Sequence, residues 1–205
     1  MPFADIYRRQ VALLIRLLPL VAEEKCFALK GGTAINLFVR DMPRLSVDID
    51  LTYVPVQSYE ASLAAIDTAM GRIGDRIKAR IPGSTIAEGA KGARTHLLVR
   101  AEGVTNEIEV TPVMRGCVHE PEQKTVTEAV EDAFGFAEMP VLSFADLYAG
   151  KFVAALTGSI HGTSSIRASC LPTRASTIRC AALSLCTSEA IRGPCMRCWP
   201  QGART

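Results

Sequence analysis

The stretch Lys30-Gly31-Gly32-Thr33-Ala34-Ile35-Asn36-Leu37, followed after a short loop by Ser46-Val47-Asp48-Ile49-Asp50-Leu51, decides how this chain is read. The apolar run Cys26-Phe27-Ala28-Leu29 predicts a buried strand, and Thr33 to Val39 a short helix entered through the two glycines. Val47 to Val54 then alternates. Val47, Ile49 and Leu51 fall on one face of a strand, and Asp48, Asp50 and Thr52 on the other.

Outward from this centre, Asp5 to Val21 predicts a first helix that Pro19 ends or kinks. Tyr59 to Ile77 is the clearest helix, with Leu63, Ile66, Met70, Ile73 and Ile77 at three- and four-residue steps. Ser84–Glu88, Thr95–Ala101 and Asn106–Val113 predict a strand meander, broken at Gly89–Gly92 and Glu102-Gly103. In its last strand Ile108 and Val110 point one way, and Glu107, Glu109 and Thr111 the other. Ser143-Phe144-Ala145-Asp146 has the form of a capping box, with Asp for the usual Glu, opening a helix through Lys151 and Ala155. Helices alternating with strands, then antiparallel strands, imply an α+β domain with a mixed β-sheet flanked by helices.

Composition sets outer bounds. At 205 residues, 48% apolar and 21% charged, the chain has the makeup of a soluble globular protein. No apolar run is long enough to span a membrane. Arg8 and Arg9 precede an apolar run, but no small-residue cleavage site follows before Glu23 and Glu24, so a cytoplasmic location is expected. The net charge of +2 is unevenly placed. Residues 1–156 carry 17 Lys and Arg against 20 Asp and Glu; residues 157–205 carry six Arg, one Glu and five of the seven Cys.

Asp48 and Asp50, two apart on a strand, project from one face and suit joint ligation of a hard cation such as Mg²⁺ or Mn²⁺. So close a pair of like charges repels, and a metal or a shared proton would relieve the repulsion. A third carboxylate on a neighbouring strand would complete a site for displacement at phosphorus. Glu109 is the candidate and Glu107 its rival on the same face. Gly31-Gly32-Thr33 lets the backbone approach a phosphate at a helix N-terminus, where Ser46 could add a hydroxyl and Arg44 a cation. A lone Asp-x-Asp is ordinarily a solvated strand face, and a lone Gly-Gly-Thr a turn. The two together at this spacing point to a site for a nucleoside triphosphate.

Gly31-Gly32-Thr33-Ala34-x-Asn36-Leu37 with Arg44-x-Ser46-x-Asp48-x-Asp50-Leu51 resembles the nucleotidyltransferase motif of the AbiEii/AbiGii toxin family, within the DNA polymerase β-like nucleotidyltransferases. Ile108-Glu109-Val110-Thr111-Pro112-Val113 resembles that family's third-carboxylate strand, and Asp146-Leu147-x-x-x-Lys151-x-x-Ala154-Ala155 the start of its lysine helix. The resemblance covers about Phe27 to Leu156. It implies a toxin of a type IV toxin–antitoxin or phage abortive-infection system that moves a nucleoside monophosphate from an NTP to an acceptor such as tRNA, with a cognate antitoxin encoded nearby. By position it makes Asp48, Asp50 and Glu109 the metal-binding catalytic acids. Gly31, Gly32, Thr33, Arg44 and Ser46 become nucleotide-binding residues, and Lys151 stabilises the triphosphate. The rival readings are a catalytically dead module of the same fold that binds nucleotide or a protein partner, and a phosphohydrolase, for which no clustered His speaks.

The likeness stops at Leu156. The family's lysine helix continues as something like "ALDRQHPRDLFDL", whereas here the text is "TGSIHGTSSIRASC". Reading back one base out of frame from Leu156 to Ile166 allows "DRQHPRDLFD", and the single codons of Met196 and Trp199 restrict a further match over Glu189 to Gln201. The expectation is therefore a nucleotidyltransferase-fold domain over 1–156 and a frameshifted, poorly ordered tail over 157–205, by mutation or sequencing error. The family's C-terminal helical part would then be truncated or replaced, and the form as written inactive. The other reading of the tail is zinc binding by Cys195-Met196-Arg197-Cys198 with Cys180 and Cys186, for which a single CxxC is weak support.

Overall fold

A computed structural model of the chain describes residues 5–41, 46–88 and 93–157, with side chains described as far as 152. Five helices and seven strands follow in the order α1 (Asp5–Ala22), β1 (Phe27–Lys30), α2 (Gly31–Phe38), β2 (Asp48–Tyr53), α3 (Tyr59–Arg80), β3 (Thr85–Glu88), β4 (His96–Ala101), β5 (Val104–Val110), β6 (Glu122–Thr125), α4 (Glu128–Phe134), β7 (Glu138–Val141) and α5 (Phe144–Thr157). The strands form one sheet in the order β3-β4-β5-β2-β1-β7-β6. The β2–β5 and β1–β7 pairs are parallel and the others antiparallel, so the sheet is mixed, as the sequence predicts.

One face of the sheet is apolar. Leu29, Leu51 and Val110 lie side by side across β1, β2 and β5, next to the pair Ile49 and Ile108, and all five are buried. Residues two apart share a face, so this row needs a cover, and α1 and α3 supply it with Leu13, Leu14, Leu17, Leu18, Ile66, Met70 and Ile73. Burying each large aliphatic side chain contributes about 1.5–3 kcal/mol. The strand between the two central helices is buried on both faces: Phe27, Ala28 and Leu29 of β1 are all inside.

Three local outcomes differ from expectation. The helix α1 passes through Pro19 and ends at Ala22. Apolar side chains before and after the proline, Leu17, Leu18, Leu20 and Val21, are all buried, and this packing holds the turn. Strand β5 stops at Val110 rather than Val113, because Pro112 has no N–H to extend a ladder. The elements β6, α4 and β7 were not legible; each is at most seven residues long, and β6 (Glu122-Gln123-Lys124-Thr125) is polar and mostly exposed.

The ends of the long helices are fixed by side chains. Ser58 Oγ accepts the Ala61 N–H at 3.3 Å and caps α3. The buried Glu24, just beyond α1, accepts from Arg72 Nε at 3.0 Å and Arg72 Nη2 at 2.6 Å, and pairs with Arg76. Among the described residues no helix is long and apolar enough to cross a membrane. The expected tail lies outside the described residues from 158 onward, with Thr157 the last residue of α5.

Candidate active site

The polar face of the sheet opposes the apolar row. Four residues run across it in register: Lys30 on β1 pairs with Asp50 on β2, Asp50 with Glu109 on β5, and Glu109 with His96 on β4. One step along β2, Asp48 pairs with Glu107. Parallel pairing of β2 and β5 is what brings Asp50 beside Glu109, and neighbouring strands stand about 4.8 Å apart.

The carboxylates feel one another. Burial pushes the Asp50 carboxyl up from its ordinary value; Lys30 opposes the rise, Glu109 and Asp48 add to it, and Lys151 opposes it again. Asp48, at the more exposed end, is also raised, by desolvation and then by Glu107. Lys151, on α5, thus exerts the smallest of these influences on Asp50.

The two candidates for the third acid are now distinguishable. Glu107 Oε1 lies 2.6 Å from His96 Nε2. Glu109 has no ion-pair partner among the described residues and faces solvent beside Asp50. Of the two, Glu107 is engaged by His96 and Glu109 is not, and the His96 contact is the feature that sequence reasoning missed. Among the described residues no three His, Cys, Asp or Glu side chains are drawn together closely enough to hold a metal ion. The backbone nonetheless sets Asp48, Asp50 and Glu109 on one face of adjacent strands, and an all-oxygen donor set of this kind suits Mg²⁺ or Mn²⁺.

Beside the carboxylates stands the N-terminus of α2. Gly31 has φ +78°, a conformation that L side chains rarely adopt, and a Cβ built there would lie 2.1 Å from Asp50 Oδ2. Asp50 therefore rests directly on the glycine backbone. A Cβ at Gly32 would lie 2.9 Å from Ser46 Oγ, so Ser46 does reach the turn. Lys30 precedes the helix with no side-chain cap, and no acidic residue sits in the first turn, leaving the first N–H groups without a capping side chain.

The Thr33 side chain is engaged within the fold. Its hydroxyl donates to the main-chain carbonyl of Asp48 at 2.5 Å and the residue is fully buried, so it ties α2 to β2. Its backbone N–H is the part left for an anion. Arg44 lies outside the described residues. Two residues the sequence did not single out complete the frame. Lys30 Nζ reaches across β2 to donate to Thr111 Oγ1 at 3.1 Å. Asn106 Nδ2 donates to Val47 O at 2.8 Å and to Gln10 O at 3.1 Å, pinning the entry to β2 against α1. Buried Asn reads in a sequence like a turn residue, and nothing local marks it.

The structure thus sets a row of acids beside an uncapped, glycine-opened helix. Residues 12–168 match the model of the family described as nucleotidyl transferase AbiEii toxin, type IV toxin–antitoxin system, and the chain belongs to that family. The match runs past Leu156 to residue 168. Among solved structures, the chain is similar to that of ANT(2″)-Ia in complex with adenylyl-2″-tobramycin, at 16% identity over 86% of this chain and 90% of that one, with a TM-score of 0.43. That likeness is too shallow to carry an argument. No curated protein matches the chain.

Proposed function

We propose that this toxin transfers a nucleoside monophosphate from an NTP to an acceptor such as tRNA or another RNA. The observation that carries the reading is the register Lys30–Asp50–Glu109 across β1, β2 and β5, set against Gly31. In the transfer an acceptor oxygen bonds to the α-phosphorus and pyrophosphate leaves. The backbone N–H groups of Gly31, Gly32 and Thr33, with the Ser46 hydroxyl and Arg44, bind the phosphates. Lys151 holds the triphosphate against the carboxylates. Asp48, Asp50 and Glu109 are the residues that would hold Mg²⁺ or Mn²⁺, which supplies charge neutralisation and Lewis acidity at the phosphoryl group. The family implies a cognate antitoxin, which we place in a neighbouring gene, and the reaction takes place in the cytoplasm.

We further infer that the reading frame changes after Leu156. The matched span ends at residue 168, so resequencing across codons 156 to 168 tests this. An intact frame with no rescuing base overturns it. Function is tested by Mg²⁺-dependent incorporation of labelled NTP into tRNA or protein, with the chain as written and with the frame restored. Loss of signal in Asp48→Ala supports the enzyme. No signal even from the restored chain leaves a module of this fold that binds nucleotide or a protein partner without turnover. Growth arrest by the restored chain, relieved by co-expression of the neighbouring gene, tests the antitoxin.

A further inference from the structure

The segment between β5 and β6 is fastened to three site-bearing elements. At its start Thr111, two residues past Glu109, accepts from Lys30. In its middle Gly116 N donates to the carbonyl of Tyr53, the last residue of the strand carrying Asp48 and Asp50, at 2.8 Å. At its far end Val118 N donates to Asp146 Oδ1 at 3.3 Å and His119 N to Asp146 Oδ2 at 3.0 Å.

Asp146 sits in the first turn of α5, the helix that carries Lys151. The capping box foreseen from sequence is formed in one half. Ser143 Oγ accepts the Asp146 N–H at 3.1 Å, which caps the helix. The return arm differs: the carboxylate accepts from the Ser143 hydroxyl at 2.9 Å and otherwise turns away from its own helix to the two backbone N–H groups of the loop. A capping residue alone needs no such reach. The helix packs mainly on α2, so this clamp gives it a second attachment, on the loop that leads back to Glu109.

We propose that Asp146 is a positioning residue for Lys151: its carboxylate sets the lysine helix relative to the carboxylate row by fastening it to Val118 and His119. This rests on the nucleotide-binding role proposed for Lys151. A hydrogen bond to a charged group is lost once its geometry is stretched or bent, whereas the bare charge attraction falls only slowly with distance.

Both variants, Ser143→Ala and Asp146→Ala, lose the Ser143–Asp146 side-chain hydrogen bond, but only Ser143→Ala removes the acceptor of the helix N–H and only Asp146→Ala the acceptor of the loop N–H groups, so the pair tells the cap from the clamp. Two readouts are used on the full chain: amide hydrogen exchange at Val118 and His119, and binding of non-hydrolysable analogues of the four NTPs with Mg²⁺. In Asp146→Ala the two amides should exchange at least about tenfold faster, and nucleotide affinity should fall about tenfold, the scale of a hydrogen bond to a charged group. Asp146→Asn, which keeps one acceptor, should fall between. Ser143→Ala should melt earlier yet bind nucleotide like the wild type. Unchanged amides in Asp146→Ala overturn the clamp. Freed amides with wild-type affinity overturn the positioning role alone, whereas a wild-type chain that binds no analogue overturns the nucleotide-binding reading and this inference with it.

Discussion

Replacing Gly31 by Ala sets two separable costs against each other, and a second glycine supplies the control. Gly31 and Gly83 hold φ of +78° and +75°, so an Ala at either meets the same left-handed strain of about 1–2 kcal/mol. At about 2–4 °C per kcal/mol for a domain of this size, each variant should melt about 2–8 °C lower. A Cβ at Gly83 meets nothing within 4 Å. At Gly31 it would meet Asp50 Oδ2 at 2.1 Å and Cγ at 2.9 Å, so the carboxylate must retreat about 1.3 Å to reach the 3.4 Å of ordinary contact. A misplacement of about 1 Å costs a reacting geometry on the order of 10²-fold in rate. In the frame-restored chain, thermal melting and labelled-NTP incorporation should therefore part company: both variants lose similar stability, while only Gly31→Ala loses activity on that scale. Equal activity in the two variants would refute the claim that Asp50 rests on Gly31 in the working site.

The raised Asp50 carboxyl makes a second test. Its folded form favours the proton, so its contribution to stability is fully present below the ordinary value of 3.8 and is lost as pH rises through the raised one. Asp50→Asn should thus melt higher than the wild type at neutral pH in divalent-free buffer, converge with it in acid below about pH 3.8, and be inactive. In the frame-restored chain Glu109→Ala should lose incorporation by at least about 10²-fold, a typical scale for removing one group that stabilises the transition state, whereas Glu107→Ala, which frees His96 and removes a repelling charge from beside Asp48, should lose less than about tenfold. Glu24→Ala should lower stability by about 1–3 kcal/mol in a thermal or urea melt, since it strands the Arg72 and Arg76 donors, and should leave nucleotide affinity unchanged.

Much of this was legible because the informative residues obey short periods. The alternation in Val47–Val54 and Asn106–Val110 placed Asp48, Asp50, Glu107 and Glu109 on polar faces before any strand pairing was known. The helix spacing of α3 and the glycine turn into α2 were read the same way. What stayed hidden depends on long-range pairing. Only the parallel register of β2 with β5 makes Glu109 the neighbour of Asp50, and only β4 beside β5 brings His96 to Glu107. Thr33 reads as a phosphate ligand in a motif, yet a carbonyl fifteen residues away claims its hydroxyl. The helix expected over Asp5 to Val21 forms through Pro19, because burial by the rest of the fold overrides a local breaker.

The parallel pairing of β2 with β5 also fixes when the site can exist during synthesis. Its parts leave the ribosome in the order Lys30, Asp50, Glu109 and Lys151, and the intervening strands β3 and β4 must pass before β5 can dock against β2. Such non-local closure is slow compared with helix formation. A nascent chain that ends before β5 carries the glycine turn and both aspartates without their acidic neighbour, and one that ends before α5 lacks the lysine. The four residues of the row and its lysine are thus all present only once α5 has followed β5 out of the ribosome.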